Sequence, residues 1–145
     1  GRQISTADQG WIGWFCKMAA DTASGKLNEI FTISGNGKQV RDVLHADDMV
    51  SLYFLMLNFA EQASGQAFNI GGGVRNSLSL LELFDLLERE INQPLRYKKL
   101  IPRESDQRVF IANLNKIKTL TGWSPTIMAR DGVSNMLAWT RSMDI

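Results

Sequence analysis

A mixed α/β fold is what this sequence predicts, and three observations predict it. Apolar residues recur at three- and four-residue spacing in several windows, most plainly Leu80, Leu83, Phe84, Leu87 and Ile91, as in helices with one buried face. Between those windows lie short β-prone runs, Glu29 to Ser34, Gln39 to Leu44, Gln66 to Ile70 and Val109 to Ala112, set off by turn residues. At 145 residues and 44% apolar content, the chain is long enough to bury a real core. Interleaved elements of both kinds point to α/β, or to α+β if the strands segregate. No repeat, low-complexity segment or linker interrupts residues 1–145, which read as one domain.

Taken in order, Thr6 or Asp8 is placed to cap a helix running to about Ala20, with Trp11, Trp14, Phe15 and Met18 on its core face. Ser24-Gly25-Lys26 breaks it, and Glu29 to Ser34 follows as a strand with Phe31 and Ile33 on one side. Gly35-Asn36-Gly37-Lys38 is a turn, Gln39 to Leu44 a strand, and Asp47 to Ala60 a helix that is apolar nearly all round. Such a helix expects cover on more than one side. Gln66 to Ile70 reads as a brief strand before Gly71-Gly72-Gly73. Ser79 and Glu82 have capping-box spacing for the next helix. Past Pro94, Leu95 to Leu100 looks like an edge strand with basic exposed positions. A polar loop from Arg103 to Arg108, a β-prone run and a short helix from Asn113 to Leu120 come next. Gly122-Trp123-Ser124-Pro125 stops that helix, and a last one begins near Asp131 with Val133, Met136, Leu137 and Thr140 inward.

Composition narrows the function. With 16 basic and 15 acidic residues and a net charge of +1, there is no electrostatic case for nucleic acid or an anionic membrane. Met49 to Ala60, the longest apolar stretch, is too short to span a bilayer and is interrupted by Ser51 and Asn58. A single cysteine, Cys16, suits a reducing cytoplasmic setting, and its place in an apolar helical run suits packing. The chain opens on Gly1-Arg2-Gln3 rather than Met, as expected of a fragment, a trimmed product or an engineered start.

Arg41 is the residue with the clearest chemical meaning. It is polar in a β-prone run beside a turn, and a guanidinium there presents a planar fork of donors suited to phosphate oxygens. His45, the only histidine, precedes a helix start without a partner cluster and reads as structural. Asp47 and Asp48 read as helix-start residues stabilised by the macrodipole rather than as metal ligands.

Arg2-Gln3, Asp8-Gln9-Gly10-Trp11, Gly37-Lys38-Gln39-Val40-Arg41-Asp42, Phe68-Asn69-Ile70-Gly71-Gly72-Gly73 and Arg103-Glu104-Ser105-Asp106-Gln107-Arg108 occur in that order. In this the sequence resembles the extended short-chain dehydrogenase/reductases, the NAD-dependent sugar-nucleotide epimerases and dehydratases, and within them most of all the 2-epimerases of CDP-sugars. The resemblance runs essentially from end to end of this chain but covers only the C-terminal, substrate-binding part of such an enzyme, the last Rossmann-sheet strand at residues 66–70 included, and implies that the N-terminal Rossmann core is missing. It implies that Arg41 and Arg103 reach the pyrophosphate and that Asp106 lies near the ribose. Gln9 and Lys38 fall at the sugar or base end. In a full-length enzyme it implies NAD, which takes hydride from the sugar C2 and returns it to the other face.

This chain is expected to bind no NAD alone and to hold no catalytic residue. The family pairs a Tyr with a Lys four positions on, whereas Tyr53 is followed at that spacing by Leu57 and Tyr97 by Ile101. Gly71-Gly72-Gly73 imitates a dinucleotide loop, but Asn76 stands where its third glycine belongs. The expected partners are a nucleotide sugar, CDP-linked by preference, and either the Rossmann half or a second copy covering the 47–60 helix, in a homo-oligomer. A 4-epimerase or 4,6-dehydratase of the same family shares the arginine logic. A stand-alone half-domain that binds nucleotide sugars or another protein without chemistry is the alternative of a different class.

Overall fold

The structure, a computed structural model, describes residues 5–6, 9–27, 30–104 and 106–143. The first helix, α1, spans Trp11–Ala23 and starts later than the sequence suggests. Asp8 lies outside the described residues. Thr6 is instead held in a bridge with Gln9, and Gly10 precedes the helix in left-handed backbone with no side-chain cap. Phe15, Cys16, Met18 and Ala19 are buried, while Trp11 and Trp14 sit half-buried at the rim.

Strand β1 (Phe31–Ser34) turns Phe31 and Ile33 inward and pairs in parallel with β4 (Tyr97–Leu100). Strand β2 (Val40–Asp42) lies between β3 (Ser77–Ser79), antiparallel, and β5 (Val109–Phe110), parallel. The turn at 35–39 and the loop at 101–108 therefore cross side by side from one small sheet to the other. Gly35 N donates to Leu100 O at 3.1 Å at one end, and Val40 N donates to Arg108 O at 2.9 Å at the other. Gly37 takes φ 79° in that turn, and a Cβ there would lie 2.8 Å from the Leu81 side chain. Backbone conformation and packing both ask for glycine.

Helix α2 (Ala46–Met56) is shorter than the 47–60 expectation. Its axis breaks through a 3₁₀ turn at Leu57–Phe59, where Phe59 relaxes to φ −120°, and resumes as α3 (Ala60–Ala63). Residues 66–70 form no ladder with any described strand. Phe68 and Ile70 instead pack against a small core of Leu52, Ile117 and Trp123. A parallel strand buried on both faces needs neighbours to satisfy its backbone, and the described chain puts none beside this segment.

The capping box at Ser79 and Glu82 forms as the spacing predicts, and α4 (Leu80–Ile91) buries Leu80, Leu83, Phe84, Leu87 and Ile91. Helix α5 (Asn115–Thr121) ends on Gly122 in left-handed backbone. Helix α6 (Ala129–Ser142) begins one turn fraction before Asp131 and buries Val133, Met136 and Leu137, while Thr140 is half-buried. Helices α1, α4 and α6 pack together against the β1–β4 sheet. At the centre, Phe84 meets Phe15 and Tyr97 with ring centroids 4.9 Å apart in each case. Among the described residues no helix is long and apolar enough to cross a membrane.

Candidate functional site

Three residues of β2 organise the region that the sequence singles out. Strand geometry sends Arg41 and Asp42 to opposite sides. On one side, Asp42 Oδ2 accepts from Gly73 N at 3.0 Å and Ala112 N at 3.2 Å, tying β2 to the glycine segment and to the residues after β5. On the other, Arg41 Nη2 donates to Asp106 Oδ1 at 2.8 Å. Its Nη1 donates to Gln107 O at 2.7 Å and to Val40 O at 2.8 Å. The guanidinium is thus held in one orientation while a quarter of its side chain, 26%, stays exposed. Asp106 is similarly half-exposed at 31%.

The other predicted residues spread outward from this pair. Arg103 is exposed just beyond β4, and its carbonyl accepts from Asp106 N at 3.2 Å, so the two share a turn. Lys38 is exposed in the turn before β2, where its N–H donates to Asn36 Oδ1 at 3.0 Å. Gln9 is exposed before α1, its N–H donating to Thr6 O at 3.1 Å, and among the described residues no hydrogen bond ties it to the Arg41 group. Arg41, Asp106 and, through the backbone, Arg103 are brought together.

Below β2 the chain is braced by polar groups whose roles only the fold reveals. His45 caps α2 by accepting from Asp47 N at 3.1 Å. Asp48 is 3% exposed and accepts from Thr126 N, Thr126 Oγ1 and Ile127 N at 2.7–3.0 Å. Burial pushes its carboxyl up, but these donors and nearby His45 outweigh that and hold it below the ordinary value of 3.8. Buried Asn76 bridges the same segment, donating to Ile127 O and accepting from Ala129 N. Beside this brace, a small apolar cleft is lined by Ile12, Val43, His45, Met128 and Gly132 among others. None of the predicted site residues lines it.

The glycine segment is packed closely against β2 and the residues after it. A Cβ on Gly71 would strike the Asp42 carboxylate, and one on Gly72 the Val43 carbonyl. The space these glycines leave is filled from within the chain. Cys16 is fully buried in α1, and burial pushes its thiol up to about 12. Among the described residues no cluster of three His, Cys, Asp or Glu stands ready for a metal.

The family model described as GDP-mannose 4,6 dehydratase matches residues 9–136. The chain belongs to that family of sugar-nucleotide epimerases and dehydratases. A family relative, the CDP-paratose 2-epimerase of Salmonella typhi, is 57% identical over 143 residues, 99% of this chain and 42% of that protein. The UDP-glucuronate 4-epimerase of Thermodesulfobacterium geofontis is 28% identical over 75% of this chain and 32% of its own length. Among solved structures, RMD from Pseudomonas aeruginosa complexed with NADPH superposes with a TM-score of 0.80 at 21% identity, over 94% of this chain and 44% of that one. UDP-glucose-4-epimerase from Stenotrophomonas maltophila, bound to NAD and formylated UDP-arabinopyranose, gives 0.77 at 23% identity, over 98% and 42%. The chain therefore spans less than half the length of these family members. Its fold is that of the C-terminal part of an extended short-chain dehydrogenase/reductase.

Proposed function

We propose that this chain is the nucleotide-gripping portion of a sugar-nucleotide epimerase acting on a CDP-sugar, without hydride chemistry of its own. The carrying observation is the Arg41–Asp106 pair, which the fold assembles from residues 65 apart. It puts a guanidinium suited to phosphate beside a carboxylate suited to ribose hydroxyls. Arg103 supplies the second cation for the pyrophosphate, and Lys38 and Gln9 serve the sugar or base end. The 57% identity to a CDP-paratose 2-epimerase favours CDP over UDP or dTDP, which a 4-epimerase or 4,6-dehydratase would prefer. Other parts of the full protein would hold NAD, because Tyr53 and Tyr97 lack the following lysine and the glycine segment is filled.

Calorimetric titration with CDP tests the assignment. Arg41→Ala and Arg103→Ala each remove a charge-assisted contact and should weaken binding by roughly ten- to a hundredfold with the fold intact. Wild-type affinity in both variants would sink it.

One observation favours an added interaction role. Val50, Tyr53 and Phe54 of α2 and Leu57 of the 3₁₀ turn after it form a stripe at helical spacing and are 49–70% exposed. The rest of the enzyme or a second copy in a homo-oligomer covers this stripe. A stand-alone half-domain would show it as a dimer interface, read directly by sedimentation of the chain alone.

A further inference from the structure

Arg41 already has an anion. Asp106 Oδ1 takes one Nη2 hydrogen at 2.8 Å, and the carbonyls of Gln107 and Val40 take the two on Nη1. A guanidinium carries five N–H donors, so only the Nε hydrogen and one on Nη2 are left over within the described residues. A phosphate oxygen seeking a bidentate grip must displace the carboxylate or lie beside it. Lying beside it puts like charges within a few ångströms of each other.

Resting on the reading that Arg41 meets the pyrophosphate, we infer that Asp106 is a specificity-determining residue that yields Arg41 only to ligands carrying hydroxyls for its own carboxylate. A ribonucleoside diphosphate satisfies both halves of the broken pair. Its phosphate oxygens accept from Arg41, and its ribose hydroxyls donate to the released Asp106. Inorganic pyrophosphate satisfies only the arginine and leaves an unpaired carboxylate facing its own negative charge. The pair thus rejects small phosphate anions that would otherwise crowd a cationic site. The exchange also carries Arg103 with it. Asp106 N donates to Arg103 O across a tight turn at 3.2 Å, while Arg108 is pinned by Val40 N at 2.9 Å.

The test is calorimetry with CDP and with inorganic pyrophosphate at fixed ionic strength, on the wild-type chain, Asp106→Ala and Asp106→Asn. Both variants should bind pyrophosphate roughly fivefold tighter, the gain expected from removing a half-exposed competing ion pair. Both should bind CDP no better than the wild type does, so that the preference for CDP over pyrophosphate shrinks. The alanine variant, which has no group left for the ribose, should show the greater shrinkage. If pyrophosphate binds no tighter to either variant while Arg41→Ala still weakens CDP, the gating role is wrong and the site reading stands. If Arg41→Ala leaves CDP affinity unchanged, or the wild-type chain does not bind CDP, the site reading falls and the gate falls with it. Circular dichroism on each variant checks that the fold is retained.

Discussion

Helices α4 and α2 are close in length and both rich in leucine and phenylalanine, yet they live in opposite circumstances. Every apolar residue of the α4 stripe finds its partner inside the chain, under α1, α6 and the β1–β4 sheet. On α2, Leu52 is buried against Ile117 and Trp123, but Phe54 and Leu57 are each 70% exposed. A one-sided helix belongs to a finished core, and a helix apolar on two sides belongs to a core that continues elsewhere. Besides that Leu52 contact, α2 is fastened by Asp48, which accepts from the backbone of Thr126 and Ile127.

The contrast can be broken most forcefully at Leu83. Leu83→Ala opens a void in the finished core and should cost about 2–5 kcal/mol in urea denaturation. A loss below about 1 kcal/mol would mean that the α4 core is loose, and the comparison would fail. Asp48 is the next lever. Asp48→Ala strands buried donors from Thr126 and Ile127 and should cost about 1–3 kcal/mol. The same residue sharpens the contrast through pH. Its carboxyl ionises more readily folded than unfolded, so its stabilisation is complete above the ordinary value of 3.8 and is lost as pH falls through the lower folded value. Wild-type stability should therefore drop below about pH 4, and Asp48→Asn should flatten part of that drop. Identical acid profiles for the two proteins would remove Asp48 from the account. Smallest of all should be Phe54→Ser, within about 0.5 kcal/mol for the isolated chain, because the ring covers nothing here. A large loss would show that the exposed face of α2 is already in use.

How far the sequence could be read follows the same division. Helix α4, its capping box and its stripe were legible because cap and periodicity are local, and so were the Phe31–Ile33 alternation and the stop at Gly122. Errors arose where distant parts decide. Residues 66–70 have strand composition, but no strand among the described residues pairs with them. The uniformly apolar run of α2 hides the break at Phe59, since nothing in its periodicity marks one. Asp48 sits beside Asp47 in sequence and reads as another helix-start acid, yet its partners lie nearly eighty positions on, at 126 and 127. For the candidate site, Arg41, Arg103 and Asp106 were each legible as residues. That Arg41 holds Asp106 was not, because no local pattern reports a bond spanning 65 positions.

The two crossings between the small sheets differ in slack. Residues 35–39 make a taut connection, fixed at Gly37 by the crowding of Leu81, and they deliver Arg41 on a strand hydrogen-bonded on both edges. Residues 101–108 span the same gap with more residues, and they carry Arg103 and Asp106. One half of the candidate site is thus part of the frame, while the other half hangs from it. On the proposed reading, substitutions and small insertions in the longer crossing would retune which nucleotide is held without disturbing a ladder or a core residue. Lineages that diverge in ligand should then record it at 101–108 first, and leave 35–42 almost untouched.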